Sequence, residues 1–248
     1  MPLARRPDLL SRLIGRALGI DPPQMRPVED GPNGEEWFVG FEWTGEQDYL
    51  SEWPRGGKAT RGANATSADA FVRFLGRDGP ECLLIEWKYT EAYGAPLNDK
   101  RRPDGTGGNQ TRRERYSDKV FSPNGPVRAD LGLALEDFFW EPFYQLVRQQ
   151  MLATFMERDL NERTRVLHVS PRANSALHKV TSNAFRSIGG LEHTDAFEVF
   201  SEVLAPPSDG ILRFKNVYCE SLFGPVLVET QSDPWAAYLV DRYPFVLE

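Results

Sequence analysis

Hydrophobic positions along this chain fall into short β-type runs bounded by turn residues, alternating with longer stretches of helical recurrence. Ala70 to Leu75 alternates loosely and is rich in Phe and Val, Arg77-Asp78-Gly79-Pro80 is turn chemistry, and Glu81 to Tyr89 reads as a second strand buried over most of its length. Two strands joined by so short a turn predict an antiparallel hairpin. Leu9, Leu10, Leu13, Ile14, Ala17 and Leu18 mark an amphipathic N-terminal helix over about 8–19. Leu135 to Glu157 recurs with helical spacing and is expected to break or bend near Pro142. Arg165 to Ser170 reads as a strand, Asp195 to Leu204 as a helix, Gly210 to Phe214 as a strand, and Trp235 to Arg242 as a terminal helix. With no internal repeat and no linker, the pattern predicts one α/β domain over residues 1–248, a central mixed sheet flanked by helices.

The hairpin changes this from a fold to a chemistry. Folding about Asp78-Gly79 carries Asp69, at the start of the first strand, next to Glu86 and Lys88 at the end of the second. Residues two apart in a strand share a face, so Glu86 and Lys88 point to one side and Trp87 to the other. Two carboxylates and an ammonium in one pocket can hold a hard divalent cation and activate a water beside it, the set that phosphodiester hydrolysis requires. On a surface strand the same triplet would be only a solvated ion pair. Here the charges follow directly on Cys82-Leu83-Leu84-Ile85, and charge placed in the centre of a sheet points to function. In the long helix, Gln145, Arg148 and Gln149 share a face that alone would be called solvent-facing. If it packs beside the hairpin, Gln145 reaches the attacking water or the scissile phosphate and Arg148 a phosphate oxygen.

Several segments extend the pattern: Phe41-Glu42-Trp43 upstream, Ala68-Asp69-Ala70, Ile85-Glu86-Trp87-Lys88-Tyr89-Thr90-Glu91, the helical run Tyr144 to Ala153, and Val166 to Asn174. Together, from about Phe38 to Leu204, they resemble the PD-(D/E)xK nuclease superfamily, the restriction-endonuclease-like fold, and within it bacterial restriction endonucleases. The resemblance implies Asp69 and Glu86 as metal ligands with the Trp87 carbonyl, Lys88 as the residue that orients the attacking water, Glu42 as the upstream acid, and Gln145 as the glutamine that a helix brings to the site. Ala68 stands where the superfamily name has Pro.

Composition narrows the frame. The apolar and aromatic content is that of an ordinary globular protein, and no apolar stretch approaches transmembrane length. Met1 to Arg6 leads into the amphipathic helix rather than a signal-peptide core, so a cytoplasmic protein is expected. Cys82 and Cys219 have no CxxC partner and are expected as reduced structural thiols. A net charge of −7 argues against a dedicated nucleic-acid coat, but the basic residues cluster: Asp99-Lys100-Arg101-Arg102, then Arg112, Arg113 and Arg115, with Lys119 and Arg128 following. This Gly- and Pro-rich insertion, about 95–130, is either a solvated excursion or an arm whose Arg112, Arg113 and Arg115 grip a nucleic-acid backbone. Other chemistries lack their signatures. His168, His178 and His193 do not have zinc-hydrolase spacing, Gly105-Thr106-Gly107-Gly108 is not a P-loop, Gly189-Gly190 is most simply a helix C-cap, and Ser67 and Ser170 lie in no nucleophile elbow.

The expectation is therefore a nuclease dependent on Mg²⁺, with Mn²⁺ as a substitute, acting on nucleic acid and most directly on DNA as a restriction or defence endonuclease, either alone or as a homodimer. Two other readings fit the same residues: a catalytically inactive nuclease fold that binds nucleic acid or a protein partner, and an RNA-directed nuclease or toxin-like effector.

Overall fold

The computed structural model describes residues 2–54, 56–57, 65–99, 107–186, 188 and 195–247. Lys100, Arg101, Arg102, Gly105, Thr106, Gly189, Gly190 and His193 lie outside the described residues. The chain enters through helix α1 (Pro7–Leu18), strand β1 (Gln24–Arg26), a small ribbon of β2 (Glu29–Asp30) and β3 (Glu36–Trp37), and strand β4 (Gly40–Trp43). The predicted hairpin follows as β5 (Ala68–Leu75) and β6 (Pro80–Trp87), antiparallel and in a register that sets Ala70 opposite Ile85 and Phe74 opposite Glu81. Next come α2 (Gly108–Tyr116), α3 (Phe143–Leu160), β7 (Arg163–Ser170), α4 (Ser175–His178), α5 (Asn183–Arg186), α6 (Ala196–Val203), β8 (Phe214–Tyr218), α7 (Cys219–Glu229) and α8 (Pro234–Arg242).

Among the described residues one six-stranded sheet runs β1-β5-β6-β7-β8, with β4 also paired to β5. The strand pairs up to β6 are antiparallel, whereas β6–β7 and β7–β8 are parallel, so the sheet is mixed. Each parallel pair needs a long crossover, supplied by the segment containing α3 and by the one containing α4 to α6. The pleat then sorts the side chains. Phe71, Cys82, Leu84, Val166 and Phe214 face a core built with α3 and α6. Val72, Phe74, Leu83, Leu167 and Val169 face a second core built with α1 and α7. Both faces are covered, which explains why Cys82 to Ile85 of β6 is an unbroken apolar run and why β7 is buried from Thr164 to Ser170.

The run from Leu135 to Glu157 breaks at Pro142 as expected: a 3-10 turn at Leu135–Phe138 is separated from α3, and Pro142 stands at the N-cap of α3, where a missing N–H costs nothing. Where structure and sequence pattern differ, the reasons are local. The strand expected at Gly210–Phe214 begins only at Phe214. Gly210 has φ 72° and its N–H donates to Pro207 O, closing a turn, while Arg213 is held by Glu157 and Asp209, so Ile211 and Leu212 lie in an irregular loop and Leu212 is exposed. The basic insertion is not a loose excursion beyond Gly107. Its Tyr116, Val120 and Val127 are buried in the core beneath α3. Helix α7 escaped the pattern because it is apolar nearly all round and contains Pro225. Both cysteines are free and buried.

Candidate active site

The polar site lies where the C-terminal end of β6 meets α3. Asp69 is one step beyond the Ala70–Ile85 pair and so stands opposite Glu86, and Glu86 is in turn opposite His168 of β7, which is opposite Asn216 of β8. On the other side, Glu42 falls between the pairs Phe41–Ala70 and Trp43–Ala68 and thus at the level of Asp69. A row of polar residues, Glu42, Asp69, Glu86, His168 and Asn216, therefore crosses the sheet next to the apolar row Phe71, Leu84, Val166 and Phe214.

Hydrogen bonds lock the centre of the row. Asp69 Oδ2 accepts the Trp87 backbone N–H at 2.7 Å, which caps the ladder at the point where β5 begins. Glu86 is 3% exposed and takes three donors: Gln145 Nε2 at 2.6 Å and Lys88 Nζ at 2.5 Å on Oε1, and Gln149 Nε2 at 2.5 Å on Oε2. Gln145 is itself held by the Tyr93 hydroxyl, which donates to its Oε1 at 2.9 Å. Lys88 is anchored by its backbone N–H to Val169 O and has Glu91 at 4.0 Å. Trp87 points the other way, as strand alternation requires, and packs against Phe223 at 5.1 Å.

Burial dominates the electrostatics. It pushes the Glu86 carboxyl up to about 7, with the Asp69 charge acting in the same direction against Lys88 and Gln149. Asp69 is also raised, first by burial and then by Glu42 and Glu91, against the Trp87 N–H and Lys88. Burial alone would lower Lys88, but its contact with Glu86 outweighs this and raises it, so the ammonium stays charged. Glu141 is a further raised, buried carboxyl here, accepting the Gln145 N–H at 3.3 Å. His168 is 2% exposed and is driven down to about 3 by burial, so it is neutral, with Nδ1 at 3.0 Å from Asn216 Oδ1.

A family model described as "Restriction Endonuclease associating with ARP" matches residues 1–244. The chain belongs to this family. No curated protein and no solved structure matches the chain. Membership in a restriction-endonuclease family and the helix-flanked mixed sheet agree with the restriction-endonuclease-like fold.

In this endonuclease-family chain, Asp69, Glu86 and Lys88 are brought together as the hairpin spacing implied, Gln145 joins them because α3 packs beside the hairpin, and Glu42 lies on the exposed rim beside them. Its φ of 50° is left-handed, and its carboxylate accepts from Ser67 Oγ at 3.2 Å. The arginines lie elsewhere. Arg148 shares the helix face of Gln145 and Gln149 but donates to Glu52 at 3.1 Å and stacks on Tyr144 at 5.0 Å, while Glu52 also accepts from Thr66 and Tyr116. Arg112 lies over Tyr144 at 5.2 Å, Arg113 pairs with Glu136 at 2.5 Å, and Arg115 sits in the last turn of α2. Gln149, Glu141, Tyr93 and Glu52 were not picked out as site residues. Only Gln149 carried a signal, its four-residue spacing from Gln145.

Two further points bear on chemistry. Ser170 Oγ lies 3.2 Å from His178 Nε2, and His178 Nδ1 lies 2.6 Å from Asp195 Oδ2, the order of a nucleophilic triad. Ser170 is fully buried, however, and Asp195 also caps α6 by accepting from the Phe197 and Glu198 N–H groups, so the relay fastens α4 to α6. As for a metal, the described residues contain no group of three or more His, Cys, Asp or Glu side chains able to hold one. The donor set at the centre is smaller: the Asp69 and Glu86 carboxylates, whose charges repel one another. Both are hard oxygen donors whose mutual repulsion a divalent cation would relieve, a chemistry that fits Mg²⁺ or Mn²⁺.

Proposed function

We propose that the chain is a metal-dependent nuclease, hydrolysing phosphodiester bonds of DNA as a restriction or defence endonuclease. The observation that supports this most directly is the convergence of Asp69 and Lys88 on a buried Glu86 that is fixed by Gln145 and Gln149. Asp69, Glu86 and the Trp87 carbonyl would hold the cation, which when bound lowers the pKa of a water and offsets charge on the phosphate. Lys88 remains protonated beside Glu86 and is placed to orient the attacking water and stabilise its hydroxide form. Gln145 and Gln149 keep the Glu86 carboxylate in one orientation, and Glu42 adds negative charge at the rim. Arg113 and Arg115 would meet the nucleic-acid backbone, Arg112 is engaged by Tyr144 and Asn109 and would support α2 instead, and Arg148 supports the helix through Glu52 instead of reaching a phosphate directly. A homodimer would supply a second site for the opposite strand. The family description names an association with ARP, and we extend the proposal to that partner.

The test is a cleavage assay with Mg²⁺ and with Mn²⁺ on plasmid, linear duplex, single-stranded DNA and RNA, with Lys88→Ala alongside. Metal-dependent cleavage by the wild type that Lys88→Ala abolishes supports the reading, and the preferred substrate decides between DNA and RNA. Nucleic-acid binding without cleavage under any of these conditions moves the reading to an inactive nuclease fold.

A further inference from the structure

The face of the sheet turned away from Glu86 and Lys88 carries a cavity of about 280 Å³, roofed by α1, α7 and α8. Almost no polar atom reaches its surface. Its floor is one row of cross-strand partners: Phe41 lies opposite Ala70, Ala70 opposite Ile85, and Ile85 opposite Leu167. Trp87 extends the floor two residues further along β6. Phe41, Ala70 and Ile85 belong to a sheet with helices over this face, yet they are only partly buried, because the cavity stands over them. The opening lies at α8, where Tyr238 lines the cavity and is 55% exposed. Ala17 of α1 and Val39, short side chains in the wall, leave space that longer ones would fill.

We propose that this cavity is a binding site for a free aliphatic chain of about ten carbons, which enters past Tyr238 and keeps any polar end group at that opening. Close packing leaves few holes larger than a water molecule in a protein interior, and a space of this size approaches that of small-molecule sites. Water is a poor occupant, since it needs two to four polar partners and the walls offer almost none. A ligand with hydrogen-bonding groups along its length would lose its hydration without replacement, whereas a hydrocarbon chain gains with every methylene it takes out of water. Volume sets the length: an apolar cavity of about 150 Å³ takes benzene, so 280 Å³ has room for about ten carbon atoms. Strand alternation puts this occupant on the reverse of the candidate active site. Ala70 follows Asp69, Ile85 precedes Glu86, and Trp87 stands between Glu86 and Lys88, so the chain would pack against the backs of the strands that hold those three charges.

Titration calorimetry with 1-hexanol, 1-octanol and 1-decanol, each below its solubility limit, tests this on wild type, Ala17→Leu and Val39→Phe, whose longer side chains take up the space. Affinity should rise by about fourfold per added methylene along the series, and either variant should weaken 1-decanol binding by about tenfold or more. Thermal melting shows which variants are folded, and the chain-length series on wild type decides the matter if neither is. No binding of any alcohol, affinity that ignores chain length, or undiminished 1-decanol affinity in a folded variant overturns the inference. A wild-type dimer in sedimentation that Tyr238→Glu dissociates would put a second copy over the opening and overturn it as well. Occupancy should also alter metal-dependent cleavage by wild type and not by Ala17→Leu, a part that rests on the nuclease reading above. Cleavage unchanged at saturating 1-decanol overturns that control. A wild type that binds the series but never cleaves overturns the nuclease reading and leaves the cavity site standing. One that cleaves and binds no alcohol does the reverse.

Discussion

The Lys88 ammonium lies 2.5 Å from Glu86 Oε1, and each of the two residues is at most 9% exposed. An ion pair this deep is held by the donors around it, because desolvation of both charges offsets much of their attraction. Gln145 and Gln149 are those donors, and they make Glu86 a carboxylate with no freedom to turn. The consequence for Lys88→Ala is a split between rate and binding. Turnover should fall by a factor of about 100 or more, since the ammonium acts on the developing hydroxide, while divalent-ion affinity should hold or rise once a competing cation is gone. Calorimetric titration and single-turnover kinetics on one preparation measure both, and equal losses in the two would contradict the role assigned to Lys88.

Asp69 and Glu86 repel each other, which fixes the sign of a second prediction. Asp69→Asn keeps an acceptor for the Trp87 N–H but removes one charge, so the Glu86 carboxyl should titrate below its wild-type value of about 7. A raised folded-state pKa means that this group's contribution to stability is complete below its ordinary value of 4.5 and is lost as pH rises through about 7. Wild-type protein should thus be destabilised over that window, and Asp69→Asn less so. Carbon-detected NMR of the glutamate carboxyls reads the titration, and melting curves across pH read the stability. The same variant should lose metal-dependent cleavage.

His168 gives the opposite pH slope. It is buried and neutral with its pKa lowered to about 3, whereas an unfolded histidine titrates at 6.5. The unfolded chain therefore takes up a proton first as pH falls, and stability is lost progressively from 6.5 down to about 3. His168→Gln, which can still donate to Asn216, should be less sensitive to acid than wild type in urea titrations between pH 7 and pH 4. An unchanged acid midpoint would show that His168 does not set it.

The hairpin and the meeting of its charged residues were legible in the sequence because strand alternation and a short turn fix both the register and the side to which each residue points. Asp69, Glu86 and Lys88 needed only that arithmetic, whereas Gln145 depended on α3 packing beside the hairpin. Glu52 was not legible, since its partners Thr66, Tyr116 and Arg148 come from three distant segments whose meeting depends on how α2 and α3 pack. Arg148 was placed on the right helix face, but nothing in its spacing showed that a buried carboxylate would take it. Glu141 and Tyr93 belong to the same class, loop residues brought to the site by the path of the chain. The strand at Phe214–Tyr218 was shifted because Ile211 and Leu212 mimic a buried run, while the ion pairs of Arg213 with Glu157 and Asp209 hold them in a loop ahead of the strand.

Glu52 carries a stability prediction of its own. Its carboxylate joins the segment at Thr66, the Tyr116 hydroxyl of α2 and Arg148 of α3, and it is 8% exposed. Glu52→Ala would leave the Arg148 guanidinium buried without its counter-charge, a change that typically costs about 3–5 kcal/mol. Denaturant unfolding should show a loss of that order, and replacing Arg148 by Met as well should recover part of it. A loss under about 1 kcal/mol would place the pair with ordinary surface ion pairs.

The basic residues of α2 differ in what holds them, so they should differ in what they contribute to nucleic-acid binding. Arg112 is stacked on Tyr144 and bonded to Asn109, whereas Arg113 is exposed and pairs with Glu136 on the surface. Phosphate can displace a surface carboxylate more readily than it can lift a stacked guanidinium. Arg113→Ala and Arg115→Ala should each reduce the slope of log affinity against log salt by up to about 0.9, the value for one duplex phosphate contact, or about 0.7 on a single strand. Arg112→Ala should instead lower the melting temperature and leave the salt slope closer to wild type. Slopes unaffected by any of the three would remove α2 from the nucleic-acid interface, and a slope that falls most in Arg112→Ala would show that the stacked arginine swings out to meet the strand.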